Sequence, residues 1–183
     1  YPDSHAGQAD WLCGEDCWVV SPALRDLRNP ANTETVGEGG EQPSKYKGTY
    51  WYDGEGDNGG VHQNSGVQNF FFYLLCEGGS GTNDGCVYNM TGIGIRNAEQ
   101  VAYRTQSVYC TPDTDYRAVR EAWASAAEDL NPDWVNPVKV AWNIAFGIPP
   151  PSITAANPLP AGRVGTPYSY RMTVVNGLPP YSW

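Results

Sequence analysis

Histidine is almost missing from this sequence: only His5 and His62 occur in 183 residues. That excludes a metal site built on two histidines one helical turn apart. Basic side chains are scarce as well, 11 against 20 acidic ones. The formal charge of −9 argues against nucleic acid or an anionic membrane surface as partner. No apolar run approaches the ~18 residues of a membrane span. The longest, Phe70 to Cys76, has the length of a core-helix segment. No charged-plus-apolar leader opens the chain, and Tyr1 is not a natural start, so it reads as an internal piece of something longer. None of the five cysteines forms a C-x-x-C pair, which leaves zinc ribbons and thioredoxin-like redox chemistry unsupported.

Glycine, tryptophan and tyrosine are plentiful, as suits an extracellular protein rich in ordered loops. Cys13 with Cys17, and Cys76 with Cys86, could each close a short loop in an oxidising compartment, leaving Cys110 over; five reduced thiols are the alternative. Residues 1–20 are acidic, aromatic and irregular. Ser21-Pro22-Ala23-Leu24-Arg25-Asp26-Leu27 carries the N-cap and first-turn proline of a short helix. From Asn29 to Gly60 no period is sustained. A loop of that length is expected to be functional, ion-stabilised, or pinned by its own aromatic residues. Four amphipathic helices follow. One runs from Asn64 or Ser65 to Leu75, stopped by Gly78-Gly79, and the next spans Ala98 to Tyr109. The third spans Thr114 to Leu130, and the last carries Val138 to Ala145. At Pro149-Pro150-Pro151 the composition changes to a stiff linker, and the remainder reads as strands and turns.

The densest chemistry lies in Asp57-Asn58-Gly59-Gly60-Val61-His62-Gln63-Asn64-Ser65-Gly66. An acid five residues before a histidine, on a glycine-softened turn, can hold one imidazole nitrogen and leave the other to face a substrate. Asp10, Glu15 and Asp16 form a second cluster, of the kind that suits Ca²⁺ on an irregular segment.

The first of these strings closely resembles the signature of the C-terminal helical domain of thermolysin-like zinc metallopeptidases. Asp10-Trp11-Leu12-Cys13-Gly14-Glu15-Asp16 is similar to that family's D-W-x-x-G-E-D segment. Ala23-Leu24-Arg25 with Asn29-Pro30 resembles another of its motifs. Ala126 to Leu130, and Val138-Lys139-x-Ala141-Trp142 ending near Gly147-Ile148, resemble its last two helices. The motifs stand in the family's order over about four-fifths of the chain. The resemblance implies a mainly α fold with long irregular loops over residues 1–148. Residues 149–183 are read separately: after the proline linker, the segment from Leu159 onward resembles the start of a small immunoglobulin-like β module, cut short here.

It also implies a function: part of a secreted zinc endopeptidase that hydrolyses internal bonds of protein or peptide substrates. His62 would donate to the oxyanion formed when water attacks the scissile carbonyl, and Asp57 would orient it. Arg25 would grip a substrate backbone carbonyl, and Leu24 would wall the apolar pocket beyond the cleaved bond. Asp10, Glu15 and Asp16 would belong to a structural calcium site, with Leu12 giving only its backbone carbonyl. The zinc ligands, H-E-x-x-H and a later glutamate, are not in this sequence. They would come from an N-terminal catalytic half of the same protein, and the chain alone would be inactive. The rival reading is a non-catalytic extracellular binding or adhesion module, presenting Tyr46, Tyr50, Trp51 and Tyr52 to a carbohydrate or protein.

Overall fold

In a computed structural model, residues 10–14, 18–19, 22–32, 41–149, 152–154 and 159–175 are described. Four helices form the body: α1 (Gly66–Glu77), α2 (Ile95–Arg104), α3 (Tyr116–Leu130) and α4 (Val135–Ala145). The fold is mainly α, as the period of the apolar residues predicts, with a small β component.

Helix α1 is the centre of the core because its apolar residues recur on more than one face. Val67, Phe70, Phe71, Leu74 and Leu75 are all buried. Phe71 stacks on Trp142 of α4 at 4.0 Å between ring centroids, and Trp123 of α3 meets the same ring edge-on at 4.8 Å. Asp115 caps α3, accepting from the N–H groups of Arg117 and Ala118. Helix α2 continues into a π-helical turn, Thr105–Tyr109, tied back to α3 where Tyr109 and Arg104 both donate to Asp129. Gly78, at φ 70°, stops α1; a Cβ there would meet the Gly92 nitrogen at 2.4 Å.

Two elements depart from the sequence expectation. Residues 22–27 do not form a helix. Leu12–Cys13 (β1) and Arg25–Asp26 (β2) pair antiparallel instead, extended by Leu24 N–H to Cys13 O and Leu27 N–H to Trp11 O. Long-range pairing, and the buried Asp26 carboxylate accepting from the N–H of Arg28 and Asn29 and the amide of Asn32, outweigh the local Ser-Pro signal. Between α1 and α2 a hairpin appears, β3 (Gly78–Asn83) with β4 (Cys86–Thr91), closed by Asp84 and Gly85, both at positive φ.

The hairpin also corrects the proposed Cys76–Cys86 bridge. Its register places Cys86 opposite Asn83, at the far end from Gly78, and five strand steps are roughly 17 Å. That is far beyond disulfide reach. Both thiols are free and buried, and burial holds the Cys76 thiol up at about 12. Cys13 and Cys110 are also free, and Cys17 lies outside the described residues.

The long loop before α1 is pinned by its aromatics. Tyr46 packs on Trp51 (4.9 Å) and Phe146 (4.8 Å), and Trp51 on Tyr116 (5.8 Å). Asp84, at the hairpin tip, accepts from the Thr49 N–H, the Thr49 hydroxyl and Lys45. Beyond α4, β5 (Ser152–Thr154) pairs antiparallel with β6 (Thr173–Val175).

Candidate functional site

His62 stands just past a turn of unusual hand. Asp57, Asn58, Gly59 and Gly60 all have positive φ, from 49° to 83°, and the chain returns to right-handed geometry at Val61. Asp, Asn and Gly are the residue types that tolerate that region, which is why the sequence carries them here. The turn aims the Asp57 carboxylate at the residues that follow it. One oxygen contacts His62 Nδ1; the other accepts from the backbone N–H of His62 (2.8 Å) and Gln63 (3.0 Å). The imidazole hydrogen bond, followed by the backbone bond from Gln63, holds the Asp57 carboxyl below its ordinary value. His62 Nε2 has no partner among the described residues, and its side chain is 77% exposed.

Behind the histidine, Asn64 is buried and bonds both ways to the backbone of Tyr52: it accepts from Tyr52 N–H and donates to Tyr52 O, each at 2.9 Å. Tyr116 donates to the Asn64 carbonyl at 2.6 Å. Burial pushes the Tyr116 phenol up to about 12, so it stays a donor across the working pH range. Gln42, also buried, donates to the His62 carbonyl at 2.6 Å. A cleft of about 700 Å³ opens between the Gly59–Val61 turn and the segment around Cys110 and Thr114, floored by Trp51, Tyr116 and Trp123.

Arg25 lies on β2, opposite Cys13, and its guanidinium donates to the Leu24 carbonyl at 2.7 Å. Leu24 is half-buried beside it. The two belong to a different segment from His62. Hydrogen bonds connect those segments: Asp26 closes the turn that follows, and Pro30 in that turn accepts from the Gln42 N–H. Of the acidic cluster, Asp10 is exposed and accepts from the Leu12 N–H at 3.1 Å, while Glu15 and Asp16 lie outside the described residues. Among the described residues no three His, Cys, Asp or Glu side chains gather, so these residues alone do not make a calcium site of six to eight oxygens. Tyr46 and Trp51 are packed inward while Tyr50 and Tyr52 are exposed, so the four rings do not share one exposed face.

The family model for the thermolysin metallopeptidase alpha-helical domain matches residues 2–147. The chain belongs to that family. It is 37% identical over 145 residues to bacillolysin of Bacillus caldolyticus, and 36% over 145 to thermolysin of Alicyclobacillus acidocaldarius subsp. acidocaldarius. It is also 37% identical over 145 residues to the thermostable neutral protease NprT of Geobacillus stearothermophilus. Each alignment covers 76% of this chain and 24% of the relative. The thermolysin-like chain therefore spans about a quarter of the length of these relatives. The matched family is one of metallopeptidases, and no helix among the described residues is long and apolar enough to cross a membrane.

Three residues around His62 have a part that the sequence does not announce. Gln42 and Tyr116 reach the His62 segment across 20 and 52 positions, and no local pattern announces such contacts. Asn64 reads as a helix cap, yet the residue before the helix, Ser65, makes no side-chain cap bond, and Asn64 serves Tyr52 instead.

Proposed function

We propose that this chain forms the substrate-side wall of the cleft in a secreted zinc endopeptidase. His62, with both ring nitrogens protonated, donates from Nε2 to the oxyanion of the tetrahedral intermediate, while Asp57 accepts from Nδ1–H and orients the ring. Arg25 binds a substrate backbone carbonyl, its fork oriented by the bond to Leu24 O, and Leu24 lines the pocket for the residue beyond the cut. The observation that carries the reading is the Asp57–His62 pair. One carboxylate grips both the ring and its peptide N–H, and leaves the other ring nitrogen facing outward. An oxyanion donor needs that preorganisation, because its value depends on costing no rearrangement when charge develops.

Zinc, supplied with its ligands by another part of the polypeptide, would polarise the scissile carbonyl and activate water. This chain's two histidines lie at positions 5 and 62 and make no zinc-binding helix pair. Alone it should neither retain zinc nor cleave peptides. Asp10, with Glu15 and Asp16, would join further oxygens in a structural calcium site.

The test is His62→Ala in the polypeptide that includes the zinc-bearing part. Turnover should fall by about 10²–10³ with KM nearly unchanged, the loss typical of one oxyanion donor. Wild-type turnover in that variant would overturn the reading.

A further inference from the structure

Asp57 alone does not explain how His62 is held. The ring is largely exposed, and the acid that grips it sits on four consecutive left-handed residues. Asp57 takes the ring and the peptide N–H of His62, and the carbonyl of the same residue needs a partner of its own. That second hold comes from residues 41–43. Gln42 Nε2 donates to the His62 carbonyl at 2.6 Å and lies 3.4 Å from Ser65 Oγ, which itself donates to the same carbonyl at 2.7 Å. Next to it, Gln63 donates through its amide to the Glu41 carbonyl. The fit is close: a Cβ on Gly66 would meet Gln42 Cβ and the Pro43 carbonyl, each at 2.6 Å.

The chemistry at Gln42 allows one orientation. Both groups facing Nε2 act as acceptors toward it, so a flipped amide would set its oxygen against the His62 carbonyl. The side chain is 3% exposed, so water does not compete for the bond. On its backbone side, Gln42 N–H donates to Pro30 O, in the turn closed by Asp26 directly after Arg25. One buried residue thus ties the Arg25 turn to the peptide of His62.

We propose that Gln42 is a positioning residue for His62, holding the histidine's carbonyl side while Asp57 holds its N–H side, and fixing the histidine's place relative to the Arg25 turn. The role rests on reading His62 as the oxyanion donor. Gln42 touches no substrate and acts through the histidine.

The experiment uses the chain with His5→Ala, so that His62 is the sole imidazole, and reads the ring ¹⁵N shifts with and without Gln42→Met. Methionine keeps the length and apolar bulk and removes the donor. With Gln42 present, the neutral ring should show a single tautomer, protonated at Nδ1. In Gln42→Met the spectrum should move toward the averaged tautomers of a free imidazole, while the near-ultraviolet signal of the Phe71–Trp142 core stays in place. If Gln42→Met does not fold, Gln42→Leu, which also removes the donor without burying a charge, gives the same reading. An unchanged tautomer in the folded variant overturns the proposal and leaves the Asp57–His62 reading intact. Averaged tautomers already with Gln42 present would sink both, because the pair itself would not be formed.

In the polypeptide that includes the zinc-bearing part, Gln42→Met should lower kcat about tenfold at unchanged KM. That is a fraction of the ~10²-fold that a 1 Å misplacement can cost. Wild-type kcat in Gln42→Met, where His62→Ala is crippled, would overturn the positioning role alone. Wild-type kcat in both variants would instead remove the oxyanion role of His62.

Discussion

At the scale of single residues, the two glycines of the His62 turn are not equivalent. Gly59 and Gly60 both have φ near +80°, a region that costs an L side chain roughly 1–2 kcal/mol. A Cβ on Gly59 would meet nothing within 4 Å, so Gly59→Ala should cost about that and no more. A Cβ on Gly60 would lie 2.7 Å from Asn64 Nδ2 and 2.8 Å from Tyr52 Cδ1. Asn64 cannot swing aside, because its amide is bonded on both sides to Tyr52. Gly60→Ala should therefore lower Tm clearly more than Gly59→Ala and disturb the His62 ring signal as well; equal effects would show that the Asn64–Tyr52 clamp yields freely. Much of the pair was legible in the sequence because Asp57 and His62 are five residues apart, joined by turn-forming residues. Gln42 and Tyr116 were not, because a contact made across a loop or between helices leaves no period or motif behind. Glu15 and Asp16 stay where the sequence left them, a cluster of acids without described geometry.

Among the elements, α1 and α4 meet at the centre of the core. Trp142 and Phe71 are essentially fully buried, and Trp123 closes the cluster from α3. Trp142→Ala should cost about 3–5 kcal/mol, a large share of the ~5–15 kcal/mol that holds a domain together. Trp142→Phe should be far milder. It keeps the stacked face, and the indole N–H that it removes is buried without a partner among the described residues. Thermal unfolding of the two variants checks this; equal losses would mean that the ring stack matters less than the indole's full volume. The helices were readable because apolar residues recur at 3.6 spacing over three to four turns, long enough to outweigh local noise. The β pieces were not. Asp84-Gly85 is a hairpin signal, but its flanking strand Gly78-Gly79-Ser80-Gly81-Thr82-Asn83 lacks the alternating apolar residues that would have announced it. In the segment 21–27 a local helix signal lost to pairing with residues far away in sequence, which no window around Arg25 contains.

Across the described residues, carboxylates fasten the loops beside the aromatic rings of Tyr46 and Trp51, apolar rings fasten the helices, and acid separates the two kinds of contact. Asp57 ties the His62 turn, Asp84 ties Lys45 and Thr49 to the hairpin tip, and Asp129 ties the π-helical turn to α3. All three titrate below the ordinary carboxylate value. For Asp57 the main cause is the bond to His62; for Asp84 it is the Thr49 N–H, and for Asp129 the Tyr109 hydroxyl. A carboxylate whose pKa is lower folded than unfolded stabilises the fold at pH above its unfolded value, near 3.9. That contribution disappears as pH falls through the lower, folded value. No bond of this kind holds Phe71, Trp123 and Trp142 together, so the core has no such dependence. Lowering the pH from 7 to below 4 should therefore first release residues 45–49, 57–62 and 105–109, with far-ultraviolet helix signal retained. Amide exchange followed beside circular dichroism would resolve the order. Loop and helix signals lost together at one pH would mean that the loops are fastened chiefly by Tyr46, Trp51 and Tyr116, and that these three carboxylates add little.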